Sequence, residues 1–460
     1  MRGPLAMRRR LATPALSAAL LLPLATACGG AGGGAGGGPT KTVTVTVGYQ
    51  SKTINTVTAG TLLRSLGYFE EELAARGRTE GVTYRVDWQD YATGAPITAQ
   101  MTAGKIDIGS MGDFPLLLNA ARGKELKQPT ALVSVTGYNL RGGLNTVVVA
   151  PDSKLESLAD LRGRKVSTSV GSAADGTLTR ALQRAGIDPE KGIHKLNQQP
   201  SVGASALQAG SADALSQFVA WPGQLAFEGR AKAVYDGAEL NLPTFHGVTV
   251  RRKFAGERPG VLDDFLKAQR RATDYLRTRP VAAAESVAKE TGLPAEVVYL
   301  YNGANGIAAF DPALRPELIA ALKEDVPVLK AAGLVGDVDV DAFVDPAPLE
   351  RAVRDAAYPK AAAARPELWL KGQDTTASFD SPRELLKAAK GADVRAAYVP
   401  DALTGTLWFA DKAVWVADGS ELRAFLTPAG AKGYVAQHAG ARAVGYEEAV
   451  GLASAAGPAS

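Results

Sequence analysis

Valine and small polar residues alternate along KTVTVTVGYQ from Lys41, a period of two that predicts a half-buried strand ending near Gly48. A helix is expected from about Thr56 to Arg76, broken at Gly67, then a strand at VTYRVDWQ, a short helix at PITAQMTAG and a strand at KIDIGS. The alternation continues through PLLLNAARG, TALVSVTG, LNTVVVA, KVSTSVGS, DGTLTRALQRAG and ADALSQFVA. Apolar strands separated by helices imply parallel sheets covered on both faces. Between residues 259 and 354 the pattern becomes helical, in PGVLDDFLKAQRRATDYLRTRP, VAAAESVAKETG and PELIAALKEDVPVLKAAG. A proline- and alanine-biased stretch, 355–374, reads as a linker. Beyond it TASFDSPRELLKA, RAAYVP, GTLWF, AVWVA, TPAGAKGYVAQHAG and ARAVGY predict a small α+β domain over 375–450, followed by a tail, 451–460.

The N-terminus follows a different pattern. Four arginines and no acid lie in residues 1–10, and Leu11 to Ala27 are apolar or small up to the only cysteine, Cys28. This is a signal peptide, 1–27, with a lipoprotein-type cleavage site. A bilayer span needs roughly 20 apolar residues, whereas this run has 17 and contains Pro14 and Pro23. The glycine-rich stretch 28–41 reads as a flexible tether from a lipidated Cys28, holding the protein on the outer face of a membrane.

Removing the signal changes the charge. Of 51 Lys and Arg, four lie before Leu11, which leaves 47 against 47 Asp and Glu, so the mature chain is formally neutral and nothing recommends nucleic acid as a partner. No cysteine remains for a thiolate site, and His194, His246 and His438 lack metal-type spacing, so no cofactor and no Ser-His-Asp chemistry is expected.

Candidate chemistry sits in three strand-to-helix loops: Gly48–Thr53, Asp107–Pro115 and Ser169–Thr177. Each puts glycine and hydroxyl residues where free backbone N–H groups and a helix dipole suit an anion, at the carboxyl ends of strands. Thr53, Ser110 and Ser172 are candidate donors, and Gly112 and Gly171 let the backbone approach closely.

These loops, with GYQ after the first strand, DWQDYATGAPITAQMTAGKIDIGSMGDFPLL, LADLRGRKVSTSVGSAADGTLTRALQRAGIDP and ALQAGSADALSQFVAWP, resemble the binding proteins of aliphatic sulfonate, taurine and nitrate importers. The resemblance implies a two-lobed α/β fold of the periplasmic-binding-protein type (type II). The solute-binding domain would be 42–354, with lobe one about 42–137 plus 245–354 and lobe two about 138–244. It also implies a ligand cleft between the lobes and partnership with an ABC permease and its ATPase. The family's ligand positions map onto Gln50, onto Ser110, Met111, Gly112 and Asp113, onto Gly171, Ser172 and Ala173, and onto Trp221. Asp113 stands where sulfonate binders carry a small polar residue. A carboxylate there would pair with an ammonium, which points to an anionic or zwitterionic ligand such as a sulfonate or a taurine-like molecule. Relatives also carry histidine and an aromatic where this chain has Asp175 and Gly176.

The segment 375–450 resembles the later half of NosL, the copper-handling accessory lipoproteins of nitrous oxide reductase, in SFDSPRELLKAAK, AAYVPDALTGTLWFADKAVWVADGSELRAF and GAKGYVAQHAGARAVGYEEA. The soft ligands of that family are missing, because the methionines are Met1, Met7, Met101 and Met111 and no cysteine follows Cys28. The leading expectation is therefore a solute-binding lipoprotein. The alternatives are a metal-handling or sensory accessory protein using the C-terminal domain, and an enzyme on the same fold related to thiamine pyrimidine synthesis.

Overall fold

The strand Lys41–Tyr49 keeps the alternation of its sequence, with Val43, Val45 and Val47 buried, and pairs in parallel with Val82–Asp90 and Ile108–Gly112. These strands belong to a computed structural model that describes residues 41–355, 357–359 and 363–455; the signal peptide, Cys28 and most of the glycine tether lie outside the described residues. The helix expected from Thr56 to Arg76 is a 3-10 turn, Ile54–Ala59, followed by helices Thr61–Leu66 and Tyr68–Glu80, divided at Gly67, whose φ of 67° is the left-handed conformation that glycine adopts at little cost.

Lobe one is a six-stranded sheet in the order Ala309–Phe310, Thr130–Asn139, Thr244–Arg251, Ile108–Gly112, Lys41–Tyr49, Val82–Asp90. Lobe two is a five-stranded sheet in the order His194–Asn197, Lys165–Thr168, Ala214–Phe218, Asn145–Val149, Lys232–Asp236. The expectation of purely parallel sheets is corrected. Thr244–Arg251 runs antiparallel to both neighbours in lobe one, as Asn145–Val149 does in lobe two. These strands begin or end where the chain crosses between lobes, and a crossing returns a strand without the helical crossover that parallel pairing needs.

The long helices Pro259–Thr278, Pro280–Thr291 and Pro316–Ala331 match their predicted positions, each with proline in its first turn. A helix that periodicity did not single out, Ala295–Asn302, is buried over almost its whole length. The C-terminal domain holds a four-stranded sheet, ordered Ala377–Ser378, Glu367–Leu370, Val394–Pro400, Leu407–Phe409, and a three-stranded sheet, ordered Glu421–Phe425, Val414–Asp418, Arg442–Val444. Its first long strand, Glu367–Leu370, lies inside the stretch read as a linker. The strand is buried because Leu368 and Trp369 pack into the domain and Asn305 donates to the Glu367 carboxylate at 2.8 Å.

Candidate functional site

Four helices of eight residues or more start at the same place. Gly94–Thr102, Asp113–Glu125, Ala173–Arg184 and Pro200–Gln208 begin at Thr93, Gly112, Ser172 and Gln199, and all four of these cap residues line one cavity of about 630 Å³ between the lobes. Two of the helices belong to lobe one and two to lobe two. Thr93, Gly112 and Gln199 make no side-chain cap hydrogen bond, though in the helix after Gly112 the Phe114 N–H is already taken by Asp113 at 2.9 Å and Pro115 has none to offer. At the Ser172 helix the Ser172 hydroxyl accepts from Asp175 N at 3.3 Å and Asp175 accepts from Gly171 N at 3.0 Å, leaving Ala173 and Ala174 as the N–H groups without an intrahelical acceptor. Asp175 is thus part of the helix cap, and Lys195 balances its charge at 3.2 Å.

Among the described residues no Asp or Glu lines this cavity, and Arg122, the one charged side chain there, is paired with Glu125 at 2.6 Å. Leu118, Leu126 and Val170 also line the cavity, the last two exposed to solvent, and Leu118 lies beside Gly171. The cavity therefore combines partial positive charge from the helix N-termini with an apolar stretch of wall.

The expected contact residues divide. Gln50, Gly112, Gly171, Ser172 and Ala173 line the cavity. Thr53, Ser110, Met111, Asp113 and Trp221 do not. Thr53 sits behind Gln50, donating to its Oε1 at 3.3 Å, while Gln50 Nε2 donates to the Ser110 carbonyl at 3.1 Å. The Met111 sulfur accepts from Thr98 at 3.7 Å inside lobe one. Trp221 opens a helix of lobe two with Lys52 of lobe one 6.0 Å above its ring. Asp113 is the main correction. Its carboxylate turns away from the cavity into lobe one, accepting from Thr244 Oγ1 at 2.6 Å, Phe114 N at 2.9 Å and Phe245 N at 3.3 Å, and burial raises its pKa above the ordinary carboxylate value. It cannot meet an ammonium group in the cleft.

Sequence reasoning missed Thr93, Asn197, Gln199, Phe218 and His246 as lining residues. ATGAP and NQQP carry the same strand-to-helix signature as the chosen loops, so Thr93 and Gln199 were within reach. His246 was not. Strand pairing sets it opposite Gly112, and Asn55 Nδ2 lies 2.5 Å from its Nδ1. With Asn55 as donor, Nδ1 accepts and Nε2 carries the proton on the side of Gly112 and the cavity. Burial lowers the His246 pKa to about 3, so the ring is a neutral N–H donor at physiological pH.

The lobes meet at the cleft. Arg180 of lobe two donates to Asp325 Oδ1 at 2.8 Å and to the Glu324 carbonyl at 2.6 Å in lobe one. Burial raises the Asp325 pKa well above the usual range, Asp113 adds to the rise, and Arg180 opposes it. Gly176 lies directly on the Phe114 ring, with no room for a Cβ. The lack of a side chain at Gly176 is what lets lobe two seat on Phe114, so the lobes touch across the cleft.

Residues 64–283 match the NMT1/THI5 like family. A protein of Escherichia coli (strain K12) named as an aliphatic sulfonates-binding protein is 27% identical over 217 residues, 47% of this chain and 66% of its own length. The taurine-binding periplasmic protein of the same organism is 29% identical over 186 residues, 40% of this chain and 55% of its own. The alignments thus span from about half to two thirds of these relatives. Among solved structures, the alkanesulfonate-binding protein of Xanthomonas axonopodis pv. citri bound to MOPS superposes with a TM-score of 0.56 at 22% identity, covering 67% of this chain and all of that one (100%). The periplasmic aliphatic sulphonate-binding protein of Escherichia coli gives 0.51 at 24% identity, covering 66% and 92%. The two-lobed α/β fold is that of the periplasmic binding proteins, with an extra C-terminal α+β region.

Proposed function

We propose that the protein is an extracytoplasmic solute-binding lipoprotein of an ABC importer, held on the outer membrane face through Cys28, that captures a small organic anion with a sulfonate-like head and an apolar tail and delivers it to the permease. The observation that carries this reading is the convergence of four helix N-termini on one cavity that no carboxylate lines. Sulfonate oxygens accept hydrogen bonds in several directions and keep their charge at all physiological pH values, which suits N–H groups approaching from two lobes. The His246 Nε2–H and the Thr93 hydroxyl supply further donors at the cavity wall. The tail would lie along Leu118, Leu126 and Val170.

The relatives named for aliphatic sulfonates and for taurine support the class of ligand. Within that class the geometry favours an alkyl or aryl sulfonate over taurine, since the cavity presents no acid to an ammonium and Asp113 is engaged elsewhere. We read the C-terminal domain as a structural addition to the solute-binding lobes. His438 is stacked on Tyr434 at 3.7 Å and bonded to its carbonyl at 2.8 Å, and among the described residues no group of three His, Cys, Asp or Glu is placed to share a metal ion.

Titration calorimetry of the full chain with hexanesulfonate, taurine and hexylamine tests the reading. One-to-one binding is expected for hexanesulfonate, at least tenfold weaker binding for taurine and none for hexylamine. Equal or tighter binding of taurine or of the amine overturns it.

A further inference from the structure

The chain crosses between the lobes twice, after Asn139 and after Asp236, and these crossings are bonded to each other. Leu242 N donates to the Arg141 carbonyl at 3.2 Å, and Asn139 Oδ1 gathers the N–H groups of Arg141, Gly142 and Gly143 at 2.9, 3.0 and 3.1 Å. They form the hinge about which the lobes would open.

The C-terminal domain sits on that hinge and grips both lobes. On lobe one, Arg395 reaches Glu296 at 2.7 Å and Glu285 at 2.8 Å, Tyr398 donates to the Glu296 carbonyl at 2.9 Å, and Trp369 packs on Tyr299 with ring centres 5.4 Å apart. On lobe two, Phe409 packs on Phe227 at 5.3 Å. At the crossings themselves, Thr404 Oγ1 donates to the buried Asp236 carboxylate at 2.7 Å, and Thr406 Oγ1 packs against Gly143. The loop that delivers Thr404 is preformed: Asp401 accepts from Leu403 N, Thr404 N and Leu426 N at 2.9, 2.8 and 2.6 Å. Asp236 in turn accepts from Ala238 N at 3.0 Å, shaping the second crossing.

We propose that the C-terminal domain is a hinge clamp that biases the solute-binding lobes toward the closed form, and that Thr404 is the positioning residue through which it acts. The proposal rests on the reading of the cleft as a ligand site and gives the appended domain a role in regulating that site. Opening the lobes about crossings held by one rigid body requires that body to part from one lobe. Its contacts are paired on both sides, with Trp369, Tyr398 and Phe409 buried and Arg395 part-buried, so the closed state is the one they favour. A ligand that binds only the closed form then meets a larger competent population, and its apparent affinity rises in proportion.

The test compares wild type, Thr404→Val, Thr404→Ser and Arg395→Gln in the full chain, by amide hydrogen exchange over 139–145 and 236–244 and by calorimetry with hexanesulfonate. Thr404→Val is expected to speed exchange in both crossings by about tenfold and to raise Kd about fivefold, since a closed-state population cut to a fifth raises the apparent Kd in that ratio. Thr404→Ser, which keeps the hydroxyl, should restore both. Arg395→Gln, which leaves the hinge loop untouched, should shift both in the same direction. Unchanged exchange in Thr404→Val overturns the clamp, and so does faster exchange with an unchanged Kd. Absence of any sulfonate binding by wild type overturns the binding reading instead, and exchange in the crossings then decides the clamp alone.

Discussion

At the cleft between the lobes, helix N-termini are left without caps, the wall carries no acid, and an apolar rim faces water. At the joint with the C-terminal domain, Trp369, Tyr398 and Phe409 are fully buried, Arg395 lies 3.9 Å over the Trp369 ring and has two carboxylate partners, and Glu367 is held by Asn305 and Ser378. One interface is left with donors that a guest must satisfy. The other pairs most of its charged groups within the protein. The difference separates surfaces that serve binding from surfaces that serve stability, and substitutions should sort accordingly.

The largest effect is expected at the joint. Trp369→Ala removes a buried ring that contacts Tyr299 and should cost about 3–5 kcal/mol of unfolding free energy, read by denaturant titration. The comparison breaks if stability is unaffected. At the cleft, Gly176→Ala forces a methyl into the Phe114 ring and should hold the lobes apart. We expect at least a tenfold loss of sulfonate affinity, about 1.4 kcal/mol, measured by calorimetry, with stability of the unliganded protein changed by less than the Trp369 variant.

A pH dependence sharpens the contrast. His246 binds a proton near its ordinary pKa of 6.5 when unfolded and only near 3 when folded, so its contribution to stability is complete above 6.5 and is lost as pH falls toward 3. Asp113 and Asp325, whose folded pKa values are raised, act in the opposite sense and lose their contribution as pH rises. The difference in stability between wild type and His246→Gln should therefore decrease by about 1.4 kcal/mol per pH unit below 6.5, and a pH-independent difference would place His246 in a solvated site. The smallest effect belongs to Asp113→Asn. Because the carboxylate faces Thr244, the ratio of affinities for hexanesulfonate and taurine should stay within twofold of wild type, an order-of-magnitude bound for a group outside the cavity.

Much of this was legible in the chain. The order of strands and helices follows from period and punctuation, and the loop Gly171–Ala173 reached the cavity because a strand, a glycine and a capping serine are local signals. What stayed hidden depended on distant partners. The direction of the Asp113 side chain is set by Thr244 and Phe245, which arrive on a strand from the other end of the solute-binding domain. His246 enters the cavity wall only through pairing with Gly112. Glu367–Leu370 reads as linker because its alanine- and proline-rich approach hides a short strand whose burial comes from Val394–Pro400 beside it. The antiparallel strands at the crossings are likewise a consequence of two lobes sharing one chain.

The most direct measurement is a backbone amide shift map of the full chain titrated with hexanesulfonate. The account predicts that the N–H resonances of Ala95, Ala173, Ala174 and Ser201, in the first turns of three of the converging helices, move downfield and saturate together. Shifts confined instead to Tyr235, Glu239 and Tyr434, around the second cavity of about 480 Å³ beside the C-terminal domain, would contradict it.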